Sequence, residues 1–198
     1  ALAAEHVSWY QLTIEPNTVF YRKPPDLPAE AVLDVIAETG SGVLAEAGYR
    51  RYEISAYARL GEDSRHNRNY WEFGDYLGIG AGAHGKLTDP ATGRIVRRRK
   101  VRQPQHYLDA ADPGAACDDI PYGERPAEFL MNALRLIDGV PTSYFHARTG
   151  LPAQVLDRRW TALVERGLLE PLGQRLVATA LGHRFLDTIL EHWVAGTA

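Results

Sequence analysis

Two side chains able to donate to a metal stand four positions apart in the segment Arg65-His66-Asn67-Arg68-Asn69-Tyr70-Trp71. On a helix that spacing puts the His66 imidazole and the Tyr70 phenol on one face, where they can converge on a single ligand. Both are side-chain types that ligate haem iron axially. By residue type alone, a structural histidine bonded to the backbone is the ordinary reading, and His84 faces the same choice.

Three other features carry chemical weight. Gly80-Ala81-Gly82-Ala83-His84-Gly85 matches G-x-G-x-x-G after an expected strand. A dinucleotide site would need a helix directly after it, and a polar segment with Asp89-Pro90 follows instead, so that reading is rejected. Close backbone packing and approach of a flat ligand both remain open there. Arg94, Arg97, Arg98, Arg99, Lys100 and Arg102 form a dense basic run. On a strand, alternate members would face opposite sides and one face could meet ligand carboxylates or propionates. A charged edge strand that resists pairing is the reading placed first. Glu53, beside Ile54 on an expected inner strand, reads as a buried carboxylate.

The elements that must position these residues follow from pattern. Residues 7–14 read as a strand closed by Glu15-Pro16-Asn17. A helix is expected from Ala29 to a cap at Gly48, with Gly40 and Gly42 inside it, and a short strand over residues 52–55. Strand, helix and strand in succession imply a βαβ unit with parallel pairing. Residues 76–79 read as a strand, and 86–88 with 94–101 as a hairpin turning at Asp89-Pro90-Ala91-Thr92-Gly93. Residues 104–126, dense in Asp, Gly and Pro, read as a linker with one short helix near His106. Short helices over 127–137, 142–150, 154–166 and 182–194, with a hairpin wing over 168–179, suggest a winged-helix-like module.

Composition narrows the class. The 198 residues are 45% hydrophobic and 24% charged with a net charge of −3, close to globular averages and far from disordered or fibrous chains. No apolar run approaches the roughly 20 residues of a membrane span. The single cysteine, Cys117, cannot form an intramolecular disulfide or alone hold a zinc or iron–sulfur centre, which points to a reducing, cytoplasmic setting. Residues 106–198 carry 8 basic and 12 acidic side chains. That balance argues against nucleic acid as partner, with Arg158, Arg159 and Arg166 the only phosphate contacts the winged module would offer. The start Ala1-Leu2-Ala3 has neither an initiator Met nor signal character and reads as the inside of a longer protein.

The segments Tyr10-Gln11-Leu12-Thr13-Ile14-Glu15-Pro16, Tyr52-Glu53-Ile54-Ser55, His66-Asn67-Arg68-Asn69-Tyr70-Trp71, Asp75-Tyr76-Leu77-Gly78-Ile79-Gly80-Ala81-Gly82-Ala83-His84 and Glu128-Phe129-Leu130-Met131-Asn132-Ala133-Leu134-Arg135-Leu136 occur in order. With them the chain resembles the C-terminal half of HemW-type haem chaperones, relatives of the oxygen-independent coproporphyrinogen III oxidase in the radical S-adenosylmethionine superfamily. The resemblance implies an α/β fold: the last part of a partial (β/α) barrel over residues 1–105, then a small helical, winged-helix-like domain over 106–198. It implies haem as ligand, with His66 and Tyr70 at the iron, and haem-accepting proteins as partners. Peripheral membrane association and a homodimer are further associations it admits. It implies S-adenosylmethionine contacts around Thr13, Ala83 and His84, mainly through backbone and van der Waals contact. The family's C-x-x-x-C-x-x-C motif for a [4Fe–4S] cluster is absent from these residues. Two other functions stay open: an anaerobic coproporphyrinogen III oxidase, and a non-catalytic binding module.

Overall fold

The computed structural model describes residues 4–194, which fall into two compact units meeting in sequence at Ser64 and Arg65. The boundary expected near residue 105 falls inside the second unit.

The first unit contains β1 (His6–Ser8), α1 (Val19–Arg22), α2 (Glu30–Glu46), β2 (Arg50–Glu53) and β3 (Ala56–Ala58). Its sheet has the order β1-β3-β2 with both pairings antiparallel. The expected strand–helix–strand succession is present, and β1 and β2 run in the same direction because each is antiparallel to β3. Direct parallel pairing between them is not present. After Glu53 the chain turns back at Ile54 and Ser55 and inserts β3, whose Ala56 and Ala58 are small enough to be fully buried between the two neighbours. β1 stops at Ser8 rather than at residue 14: the Trp9 N–H still donates to the Ser55 carbonyl at 2.8 Å, and no strand pairing is present beyond it among the described residues. Glu53 is buried, as its position beside apolar residues predicts.

α2 runs without interruption through Gly40 and Gly42. Gly40 is required there: a Cβ built on it would lie 1.9 Å from the Trp9 indole. One residue on, the Ser41 hydroxyl shares a 2.7 Å hydrogen bond with the Tyr57 hydroxyl, tying the helix to β3. The helix ends where Gly48 adopts a positive φ of 84°, as the sequence predicts. None of its residues is buried among the described residues, and Val32, Val35, Ile36 and Val43 remain exposed.

The second unit begins with α3 (Arg65–Trp71), then β4 (His84–Thr88), β5 (Ile95–Lys100), α4 (Pro104–Asp109) and β6 (Gly114–Asp119). These strands form an antiparallel sheet of order β4-β5-β6. The hairpin is where the sequence puts it. The expected linker carries the short helix expected near His106, α4, and in addition the strand β6. Asp is a poor strand former, but Asp118 and Asp119 answer the arginines of β5 across the ladder, Arg99 to Asp118 at 2.9 Å and Arg94 to Asp119 at 2.7 Å. The basic run therefore lies on the central strand, which overturns the edge-strand reading. Residues 76–79 form no strand beyond one bridge between Tyr76 and Lys86.

The remaining elements are α5 (Arg125–Ala133), β7 (Val140–Pro141), α6 (Thr142–Thr149), a 3₁₀ turn (Ala153–Val155), α7 (Asp157–Glu165), β8 (Arg175–Leu176), α8 (Ala180–Arg184) and α9 (Leu186–Val194). Phe129, Leu130, Phe145, Trp160, Leu163 and Ile189 are fully buried and make the core. The wing is built by β7 pairing with β8 and by a bridge between Leu169 and Ala178. Buried Arg125 donates to the carbonyls of Ile120, Thr149 and Gly93, joining the start of α5 to α6 and to the sheet hairpin. No described helix is long and apolar enough to cross a membrane.

Replacing Gly40 by Ala forces a methyl into the Trp9 ring and is expected to destabilise the chain by about 1–3 kcal/mol, the usual cost of overpacking. Urea denaturation of the two proteins measures this; an unchanged midpoint would show that Trp9 swings away at no cost.

Candidate functional site

α3 carries the His66 and Tyr70 pair, and its local sequence explains its position. Arg68 and Glu72 form an i,i+4 ion pair at 3.2 Å on the helix side. Phe73 then takes a left-handed φ of 56° and ends the helix, and the following Gly74 has no room for a Cβ, which would lie 2.1 Å from the Asn69 amide. That amide donates to the Asp75 carbonyl at 2.9 Å. Asn69 thus folds the exit of the helix back on itself.

On the exposed side, the His66 and Tyr70 rings meet edge to face with centroids 4.8 Å apart and planes at 63°. The helical spacing and common face expected from the sequence are present. Tyr70 also stacks on Tyr76 at 4.1 Å, and the Arg135 guanidinium sits 4.4 Å over the neighbouring Trp71 ring. His66 is exposed and Tyr70 half-buried. Neither ring makes a hydrogen bond to another described residue, so the imidazole nitrogens and the phenol oxygen remain available as donor atoms. This differs from a structural histidine, which would be tied to a carbonyl. Burial raises the pKa of Tyr76 against the lowering effect of the Arg97 charge.

Behind the pair lies a joint that residue types alone did not reveal. Lys86 is buried on β4, its ammonium 2.9 Å from the Asp75 carboxylate and 4.2 Å over the Phe73 ring. Asp75 also accepts from the backbone and the hydroxyl of Thr88, each at 2.9 Å. Phe73 packs on Phe129 and Phe129 on Phe145, both edge to face. Partial burial pushes the Asp75 pKa up, but hydrogen bonds from Lys86 and Thr88, with the Lys86 charge, outweigh it and hold the carboxyl below its ordinary value. For Lys86 burial is the larger influence and the direction is downward despite Asp75. The apolar and acidic residues of the motif spanning Asp75 to His84 contained the signal for this joint, in the carboxylate immediately before Tyr76.

The residues expected around S-adenosylmethionine are distributed differently. Thr13 is exposed, off any strand, and belongs to the first unit; Ala83 and His84 belong to the second. Ala83 has both backbone polar groups engaged, its N–H donating to the Gly80 carbonyl at 3.2 Å and its carbonyl accepting from Lys100 at 2.8 Å. His84 is exposed at the start of β4, opposite Arg99. The glycine loop is explained largely by close backbone packing, since a Cβ on Gly78 would lie 2.4 Å from the His84 carbonyl oxygen. Among the described residues no group of three or more His, Cys, Asp or Glu side chains converges on a metal position. Iron already held in a porphyrin needs only one or two axial side chains.

In fold the chain corresponds to part of a radical SAM enzyme of known structure. Coproporphyrinogen III oxidase (HemN) from Escherichia coli, a radical SAM enzyme, matches with a TM-score of 0.59 over 86% of this chain and 43% of that one, at 17% identity. Residues 123–185 match the HemN C-terminal domain. The nearer kinship is to haem chaperones. Heme chaperone HemW of Escherichia coli is 43% identical over 190 residues, 96% of this chain and 50% of the relative. That of Haemophilus influenzae is 43% identical over 96% of this chain and 49% of its own length. The chain spans about half the length of these relatives, and over that half the relationship expected from the ordered motifs is shown.

A carboxyl held below its ordinary pKa stabilises the fold above the unfolded value of 3.8 and loses that contribution as pH falls through the folded value. Asp75→Asn is therefore expected to lower stability at neutral pH and to flatten the acid limb below 3.8. Melting temperatures of both proteins between pH 7 and pH 2 check this; parallel curves would remove Asp75 from the acid response.

Proposed function

We propose that this chain is part of a haem chaperone that binds one haem and passes it to acceptor proteins, with His66 and Tyr70 at the iron. The observation that carries the reading is the pair itself: an exposed imidazole and a phenol, one helical turn apart, with no hydrogen bond to a described residue competing for their donor atoms. A neutral imidazole or a phenolate donates to iron. Either side chain of the pair would hold the iron, the imidazole through a ring nitrogen or the phenol through its oxygen.

The relatives at 43% identity are named heme chaperones, whereas the oxidase matches at 17%, and this difference supports the chaperone reading. The structural match to the oxidase favours anaerobic porphyrinogen oxidation as the second reading. Thr13, Ala83 and His84 are proposed to contact S-adenosylmethionine; with its backbone engaged, Ala83 offers only its methyl group. The iron–sulfur cluster does not fit these residues. Cys117 is the sole cysteine and is exposed, while a cluster takes about four thiolates. A reducing cytoplasm suits a free exposed thiol.

His66→Ala is expected to shift the Soret band to that of a phenolate-ligated haem, and Tyr70→Phe to leave an imidazole-type spectrum. The double variant should bind haem at least about tenfold more weakly, given that loss of even an outer-shell partner costs roughly 10- to 100-fold. Titration of haem followed by absorbance measures all three. Spectra and affinities identical to the parent would remove the pair from the iron. Turnover of coproporphyrinogen by the full-length protein under anaerobic conditions, without stable haem uptake, would move the second reading to first place.

A further inference from the structure

The basic run on β5 is divided by the sheet into cations that have partners and cations that do not. Arg94 is paired with Asp119, Arg97 with Glu128 of α5, and Arg99 with Asp118. Arg98, Lys100 and Arg102 have no carboxylate or hydrogen-bond partner among the described residues. A central strand gains nothing from this charge as protection against edge pairing, so unpaired cations there call for a different account.

The ladder beside them is irregular. Register between β5 and β6 shifts between Arg99 and Lys100. Arg99 pairs with Ala116 and Lys100 with Gly114, so the extra residue is Ala115 of β6 and the ladder is locally disrupted beside these two cations. Both line one concave groove of about 470 Å³ together with Arg102 and His84. Its remaining wall is Gly82 and the two alanines at 115 and 116, which leave space rather than fill it. Of the neighbouring carboxylates, Asp118 pairs with Arg99 at the groove itself, and Asp112 accepts from the Gly114 N–H at 3.0 Å. The groove is a cationic hollow with small-residue walls. It also lies along the face that leads to the haem pair. Lys100 also lines a neighbouring hollow together with Tyr76, and Tyr76 stacks on Tyr70.

We propose that this groove holds the carboxylates of a tetrapyrrole, with Arg102 and Lys100 paired to its propionates while the ring extends toward Tyr70. The proposal rests on the haem reading but assigns a separate site, one that recognises the porphyrin's charged edge whether or not iron is present. Arginine and lysine suit the task because charge-assisted hydrogen bonds to carboxylate are about twice as strong as neutral ones.

The test uses iron-free protoporphyrin IX, which keeps both propionates and offers no iron to His66 or Tyr70, and its dimethyl ester, which keeps the ring and loses both charges. Binding is followed by porphyrin fluorescence for the parent chain, Arg102→Gln, Lys100→Gln and His66→Ala. The parent should bind the free acid about tenfold more tightly than the ester, the value of one good hydrogen bond to a charged group. Arg102→Gln and Lys100→Gln should each remove much of that difference and leave the ester unaffected. His66→Ala should preserve it. Equal binding of acid and ester, or equal losses for both in the glutamine variants, overturns the groove. Persistent acid–ester discrimination with a haem Soret band indifferent to His66→Ala and Tyr70→Phe would bring down the iron assignment alone. Arg102 is exposed and unpaired, so its substitution leaves folding intact, as an unchanged melting curve would verify.

Discussion

The second unit is organised around one buried cation. Lys86 enters the interior of the sheet face with its stem among apolar groups, its ammonium over the Phe73 ring and its charge met by Asp75. A lysine taken out of water costs several kcal/mol unless it is paired and bonded, so its position fixes the groups around it. Phe73 must end α3 at that point, Asp75 must leave the helix toward β4, and Thr88 must complete the carboxylate's shell. The aromatic line from Phe73 through Phe129 to Phe145 carries the constraint into the helical core. The angle at which α3 presents His66 and Tyr70 is a consequence of this joint.

The two units differ in how far they satisfy themselves. The helical part of the second unit has a continuous interior, with Trp160 buried and its indole N–H donating to the Glu170 carbonyl at 2.8 Å. The first unit's long helix has no buried residue among those described and carries a stripe of exposed Val and Ile. A helix with that patterning is built to be covered on a second face.

Periodicity revealed α2, the β4–β5 hairpin and the helices of the tail, because each has a strong local pattern and a glycine or Asp-Pro stop. It missed β6, whose residues Ala115, Ala116, Asp118 and Asp119 are poor strand formers held by pairing with an arginine-rich neighbour. It took the return of β2 onto β3 for the end of a parallel unit, since three-residue strands carry too little pattern to reveal their direction. The His66 and Tyr70 spacing was legible because a helix converts i and i+4 directly into adjacency. Lys86 and the register shift opposite Arg99 and Lys100 were not, since burial of a lysine and a shift of register are decided by contacts distant in sequence.

β6 is an outer strand of its sheet, and Cys117 lies on it, exposed and without another thiol in the chain. Air oxidation can accordingly join two copies in only one way, through a symmetric covalent link between their β6 edges. The same singularity makes residue 117 a ready attachment point for a fluorophore, one ladder position from the arginines of the central strand, where an arriving porphyrin would dim the emission by energy transfer.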